Sequence, residues 1–317
     1  MKTGIKLFYS KDWPSSSAGK TDYELLDTGE REKLERFGKY TFVRPYEDAV
    51  WAKTLKKEWK QIDGKFWSSK QGAKAGWKME NKIEPKWEMS YKDIKFLASP
   101  TSFRHLGFFP EQASHWDFIE EKIKEAKKTS QKPIKFLNLF GYTGVASLFA
   151  LRAGAEVTHV DASKQTLKWA KENQQLNSHL GLENLPMRVL EDDAIKFLER
   201  EEKRGNKYDA IIMDPPKFGR GPKGEIWKIE EMLPKLLLQV KKVLNDKPLF
   251  IILTSYAIDS SSLSLGYALE DMMKDFEGST ESGKTAMTEQ GELCVLEKSN
   301  NRIIPLANTA VWETLEK

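Results

Sequence analysis

Apolar residues fall along this chain in two regimes. Between 134 and 254, short β-forming runs recur: IKFLNLF at 134–140, AEVTHV at 155–160, MRVL at 187–190, YDAIIM at 208–213 and LFIILT at 249–254. The stretches between them carry apolar residues at helical spacing, over 145–153, 163–177, 194–204 and 225–244. Strand and helix patterns that alternate in this way predict βαβ units on a parallel, Rossmann-like α/β sheet. Upstream the pattern changes. Trp51, Trp59, Trp67, Trp77 and Trp87 recur at spacings of 8, 8, 10 and 10, broken by Gly64, Gly72, Gly76, Asn81 and Pro85. That interval predicts a small all-β module. Strands are also expected at 23–27 and 40–43, and residues 1–20 read as a loosely held arm. A helix is expected over 111–128, with Pro110 suited to its first turn and Trp116, Ile119, Ile123 and Ala126 on one face. The expected division is therefore a smaller β-rich N-terminal domain over 1–110 and a larger α/β domain over 111–317. Past the fifth run a helix is expected over 263–276. A hairpin over 285–288 and 293–297, turned at Gly291, should follow, with 303–311 trailing.

The organising stretch is 134–163. Its first strand leads into the turn Gly141-Tyr142-Thr143-Gly144, a helix with Gly154 as left-handed terminator, a second strand, and Asp161 at that strand's end. In open α/β sheets ligands bind at the carboxyl ends of the strands, and an acid about 20 residues past a glycine turn meets a ribose hydroxyl pair. The turn lacks the G-x-G-x-x-G that lets backbone close on a pyrophosphate, and no Gly-Lys-Ser/Thr follows it. The expected cofactor has ribose but no phosphates, as S-adenosylmethionine does. Two more acidic clusters end strands on the same edge: Glu191-Asp192-Asp193, and Asp214 in Asp214-Pro215-Pro216-Lys217-Phe218. Each proline of the second cluster fixes φ near −65° and lacks an N–H, so this turn holds its carbonyls stiffly.

NLFGYTG, the VDAS acid, EDDA and DPPKFG, in this order, resemble the motifs of class I S-adenosylmethionine-dependent methyltransferases. They are most similar to the branch that methylates bases of 23S ribosomal RNA, including cytosine-C5 and guanine-N7 enzymes. The resemblance covers residues 101–317. It implies a mostly parallel sheet closed by an antiparallel C-terminal hairpin. It also implies that Asn138, Phe140, Gly141, Tyr142, Thr143, Gly144, Asp161, Ala162, Ser163, Asp193, Ala194 and Asp214 hold S-adenosylmethionine, with Phe109 and Gln112 closing over it. Asp214, Pro215, Pro216 and Phe218 would meet the target base, Phe218 by stacking.

Cysteine usage narrows the chemistry. Carbon-5 of cytosine is a weak nucleophile that needs a thiolate adduct, and the family's cytosine enzymes carry that cysteine just after the fifth strand. Here the place reads Thr254-Ser255-Tyr256-Ala257, and the one cysteine, Cys294, lies far along the chain. A ring or exocyclic nitrogen of guanine needs no adduct and is the expected acceptor. The rival readings are a protein or small-molecule acceptor, cytosine-C5 transfer to ribosomal RNA, and a non-catalytic RNA-binding role. With no second cysteine there is no intrachain disulfide, and the four scattered histidines lead us to expect no metal.

Net charge is only +4, but residues 50–110 carry 13 Lys and Arg against 6 Asp and Glu. This excess of +7, interleaved with tryptophans, makes the small module the expected contact for RNA. No stretch of 18 apolar residues occurs, and the first residues show no apolar core of a signal peptide, so the expected compartment is the cytoplasm.

Overall fold

The computed structural model describes residues 4–14, 22–67, 75–130, 132–256, 261–274, 276 and 285–315. The chain forms two compact units. The larger comprises Met1–Phe8, His115–Leu293 and Leu306–Lys317; the smaller comprises Tyr9–Ser114 and Cys294–Pro305. The division falls a little beyond the boundary expected at 110. It is also discontinuous: the first residues join the larger unit, and a late segment returns to the smaller one.

The arm expected at 1–20 is in part a strand. β1 (Ile5–Phe8) joins the main sheet of the larger unit. The smaller unit is built mainly of strands. β2 (Tyr23–Gly29), β3 (Glu32–Phe37), β4 (Tyr40–Pro45), β5 (Gly64–Trp67) and β6 (Gly76–Met79) form one sheet in that order, and β7 (Trp87–Tyr91) pairs with β8 (Ile94–Ala98). Its core is aromatic, with Tyr23, Phe37, Phe42, Tyr91 and Phe96 fully buried. Inside it Arg44 grips Glu35 through two 2.6 Å hydrogen bonds. Burial disfavours the Glu35 carboxylate, but Arg44 and Lys33 beside it hold its pKa down at about 2.

The larger unit follows the expected alternation. After α1 (Ala113–Thr129) come β9 (Lys135–Leu139), α2 (Val145–Arg152), β10 (Glu156–Asp161), α3 (Lys164–Gln175), β11 (Met187–Glu191), α4 (Ala194–Lys203) and β12 (Ala210–Met213). Two short strands, β13 (Phe218–Arg220) and β14 (Ile226–Lys228), precede α5 (Ile229–Val243), β15 (Phe250–Ser255) and α6 (Ser262–Met273). β16 (Thr285–Leu296) and β17 (Ile303–Leu315) complete the chain. One eight-stranded sheet runs β1-β16-β17-β15-β12-β9-β10-β11. β15, β12, β9, β10 and β11 are mutually parallel, and β17 is antiparallel to β15, as the resemblance implied. Helix residues such as Leu198, Leu236 and Val240 bury their side chains with Leu139, Ile211 and Ile251 of the sheet.

Two expectations are corrected here. The stretch after the Asp-Pro-Pro turn is an antiparallel hairpin made by β13 and β14. The following helix accordingly starts at Ile229 rather than at 225. The expected hairpin at 285–297 is a single strand, β16, whose partner is β17. Gly291 is not its turn. It sits mid-strand opposite Lys6 of β1, where any Cβ would overlap the Lys6 carbonyl. Glycine is required there by close approach of another backbone.

Gly291→Ala should therefore detach β1 and lower stability by about 1–3 kcal/mol. Gly76→Ala, where nothing lies within 4 Å of an added Cβ, should stay within about 0.5 kcal/mol of wild type. Urea unfolding of both variants checks this; equal stability of the two would show that Gly291 is not under steric constraint.

Candidate active site

Because β15, β12, β9, β10 and β11 run parallel, their carboxyl ends share one edge. The chain passes from β9 outward through β10 and β11, then returns to lay β12 on the other side of β9. The crevice between β9 and β12 is the topological switch point, where open α/β sheets bind their ligands. The glycine turn leaves β9 on one side of it, and the Asp-Pro-Pro turn leaves β12 on the other.

The glycine turn is held from below. Phe140 (φ 57°), Tyr142 (φ 51°) and Gly144 (φ 82°) are all left-handed, a conformation that non-glycine residues adopt at a cost. The compensation is a set of hydrogen bonds around one residue. The Tyr142 N–H donates to Asp161 Oδ2 at 2.9 Å, and its carbonyl lies 3.3 Å from His159 Nε2. His159 Nδ1 is 3.0 Å from the Ser147 hydroxyl, which accepts from Asn138 Nδ2 at 3.0 Å. All donors and acceptors match if Ser147 donates to Nδ1 and a neutral His159 donates from Nε2. Burial of the ring keeps it neutral by lowering its pKa. Gly141 packs flat against this ring, and a Cβ there would overlap it. The Thr143 carbonyl accepts from Asn173 Nδ2 at 2.9 Å.

Asp161 does two jobs at once. Besides the turn, its Oδ1 accepts from the Ser163 N–H and the Thr166 hydroxyl, each at 2.9 Å. Ser163 in turn caps α3, its hydroxyl accepting from the Thr166 N–H. Farther along the edge, Asp193 caps α4 through a 3.0 Å bond from the Lys196 N–H, with the buried Ala194 beginning the helix. Asp192 is paired with Arg200.

Across the crevice, Pro215 is buried, Asp214 half-buried, and Pro216 and Phe218 exposed, Phe218 to 57%. Trp227 of β14 reaches back under this turn. Its indole N–H donates to the Pro216 carbonyl at 2.6 Å, and its ring meets Phe140 edge-on with centroids 4.9 Å apart. The Pro216 carbonyl is thus fastened to β14.

Most of the expected site residues are thus gathered on one edge of the larger unit. Asn138, Thr143 and Ser163 stand there as supports, with their polar groups bonded to other elements. Phe109 and Gln112 belong to the smaller unit; Phe109 packs on His105 and Gln112 is buried. His159, Ser147, Asn173, Thr166 and Trp227 escaped the sequence reading. His159 alone had a signal, since it lies two residues before Asp161 on the same strand face.

Comparison with known proteins gives the class. Residues 117–258 match the family described as Conserved hypothetical protein 95. The crystal structure of the SAM-dependent methyltransferase from Agrobacterium tumefaciens is 39% identical, with a TM-score of 0.82 over 94% of this chain and 92% of that one. This chain belongs to the S-adenosylmethionine-dependent methyltransferases. Among curated relatives, ribosomal RNA large subunit methyltransferase K/L of Pseudoalteromonas translucida is 33% identical over 153 residues, 48% of this chain. Ribosomal RNA large subunit methyltransferase I of Aeromonas salmonicida is 34% identical over 126 residues, 39% of this chain. The matched segments span only 20% and 29% of those two proteins. Among the described residues of this chain, no helix is long and apolar enough to cross a membrane.

The packing of Gly141 on His159 makes a coupled pair. Gly141→Ala alone should destabilise the protein by about 1–3 kcal/mol through overpacking. Adding His159→Ala should cost at least about 0.5 kcal/mol less than the two single changes summed. Additive costs in thermal unfolding would mean that ring and glycine do not constrain each other.

Proposed function

We propose that this chain transfers a methyl group from S-adenosylmethionine to a nitrogen of an RNA base, with guanine of 23S ribosomal RNA as the first candidate and the cytoplasm as the compartment. The observation that carries this is the pairing, across one switch point, of a ribose-type acid site with a rigid Asp-Pro-Pro turn. The names of the two curated relatives support the ribosomal substrate.

The residues fit the cofactor. Each carboxylate oxygen can accept about two hydrogen bonds. Asp161 Oδ1 accepts two, but Oδ2 accepts one, which leaves Oδ2 a lone pair for a ribose hydroxyl. Phe140, Gly141, Tyr142 and Gly144 would border the methionine part, and Asp193 with Ala194 the adenine. When bound, S-adenosylmethionine supplies an electrophilic methyl on a positive sulfur. The protein's task is then alignment, which can supply about 7–11 kcal/mol of the barrier. Asp214 and the Pro215 carbonyl accept the N–H bonds of the target amine and turn its lone pair toward the cofactor side. Phe218, exposed beside them, stacks on the base once it has left its helix, a step costing a few kcal/mol.

Cysteine chemistry has no support at this edge. Cys294 is buried within β16 and is counted with the smaller unit, while Ser255 ends β15. The smaller unit is the proposed source of most phosphate contacts. Trp51, Trp59, Trp77 and Trp87 donate their indole N–H groups to acceptors within that unit, so they serve its structure. Trp67 is 52% exposed with Lys65 over its ring, which leaves it as the stacking candidate. Lys56, Lys57 and Lys60 are exposed beside this sheet's connections.

Purified protein, tritiated S-adenosylmethionine and total RNA from a deletion strain test the reading. Label should enter ribonuclease-sensitive material as a methylated guanine, and Asp214→Ala should retain RNA binding but lose transfer. Replacing Lys56, Lys57 and Lys60 by Ala should raise the KM for RNA and flatten the salt dependence by roughly 0.7–0.9 per lost phosphate contact. Label confined to protein or small molecules would overturn the proposal.

A further inference from the structure

The hairpin over 218–228 has two unlike faces. In its register Phe218 lies opposite Lys228, Gly219 opposite Trp227, and Arg220 opposite Ile226. Alternation then places Gly219 and Trp227 on one face and Phe218, Arg220, Ile226 and Lys228 on the other. The inner face is anchored. Trp227 is buried, bonded to the Pro216 carbonyl and packed on Phe140, and Gly219 lets the ribbon lie close over Pro216. One side chain therefore touches both turns that flank the switch point.

The tip is also built rather than loose. Glu225 pairs with Lys196 of α4 at 2.6 Å, and its carboxylate accepts from the Lys223 N–H at 2.8 Å. The Gly221 N–H donates to the Glu225 carbonyl at 2.9 Å, and Gly224 takes the left-handed φ of 86° that closes the turn.

The outer face has no such internal purpose. Phe218 and Ile226 are 57% and 58% exposed, although both are large and apolar. The charges around them are unevenly matched. Glu225 is taken by Lys196 and Lys228 by Glu231, while Arg220 and the Lys223 ammonium have no partner among the described residues. A flat ring beside two unpaired cations is complementary to an unpaired base beside its phosphates.

We propose that the ribbon 218–228 grips the RNA strand next to the target nucleotide, with Trp227 as the positioning residue that holds this grip in register with both turns. The proposal rests on the RNA methyltransferase reading and adds to it the element that orients the strand. Arg220 and Lys223 take phosphates, Ile226 covers the base next to the target on which Phe218 stacks, and Trp227 touches neither substrate nor cofactor.

Binding and transfer are measured separately, on the full chain with fragments of 23S ribosomal RNA. Arg220→Ala with Lys223→Ala, both exposed, should reduce the slope of log K against log salt by roughly 1.4–1.8. The KM for RNA should rise while S-adenosylmethionine affinity stays unchanged. Trp227→Phe keeps a ring against Phe140 but removes the N–H. It should lower kcat about tenfold or more, with RNA affinity within about twofold of wild type, because a misplaced target costs rate rather than binding. An unchanged salt slope in the double variant overturns the ribbon, whether or not methyl transfer is seen. A reduced slope on RNA that is bound but never methylated supports the ribbon while overturning the reading of function. Normal kcat in Trp227→Phe overturns the positioning role.

Discussion

The backbone of Tyr142 is the point on which this site turns. Its N–H is held by Asp161 and its carbonyl faces His159, so the two groups clamp it from the neighbouring strand β10. Without that clamp, two left-handed non-glycine residues in one short turn, Phe140 and Tyr142, would be expensive, at about 1–3 kcal/mol each. With it, the turn at the end of β9 is fixed relative to the acid at the end of β10. Those two features together form the proposed ribose and methionine site, and a shift of either would separate them.

Asp161 extends the same logic. It ties the turn to the start of α3 through Ser163 and Thr166, and the Asp192 N–H donates to its carbonyl at 3.1 Å. Three loops of the edge thus refer to one residue. On the far side of the crevice, rigidity comes from a different source. There the two prolines stiffen the backbone, and Trp227 fastens the turn to Phe140. Neither half depends on a mobile loop among these residues, which suits a reaction in which alignment is the main contribution.

Much of this was legible in the sequence. The β9 to β15 alternation, the glycine turn and the acidic rim all follow from local patterns, because each short-range signal agrees with the final fold. What escaped reading depended on partners distant in sequence. β1 is four residues long and is a strand only because β16 lies beside it. β3 was hidden because its hairpin turns on Glu30 and Arg31, both left-handed, where Asn-Gly is the usual signal. Gly291 looked like a turn because a glycine under a foreign backbone and a glycine in a bend are indistinguishable in one dimension. His159 and Trp227 read as ordinary apolar-run residues; their roles come from what stands across the strand or the crevice.

The most direct measurement is calorimetric titration of S-adenosylmethionine into the wild-type protein and Asp161→Ala, with thermal unfolding as the check that the variant is folded. The account predicts that wild type binds S-adenosylmethionine and not NAD. The variant should bind it about ten- to a hundredfold more weakly, the loss of roughly 1–3 kcal/mol expected when a charged hydrogen-bond acceptor is removed. Equal affinity in a folded variant, or wild type that binds NAD and ignores S-adenosylmethionine, would contradict it.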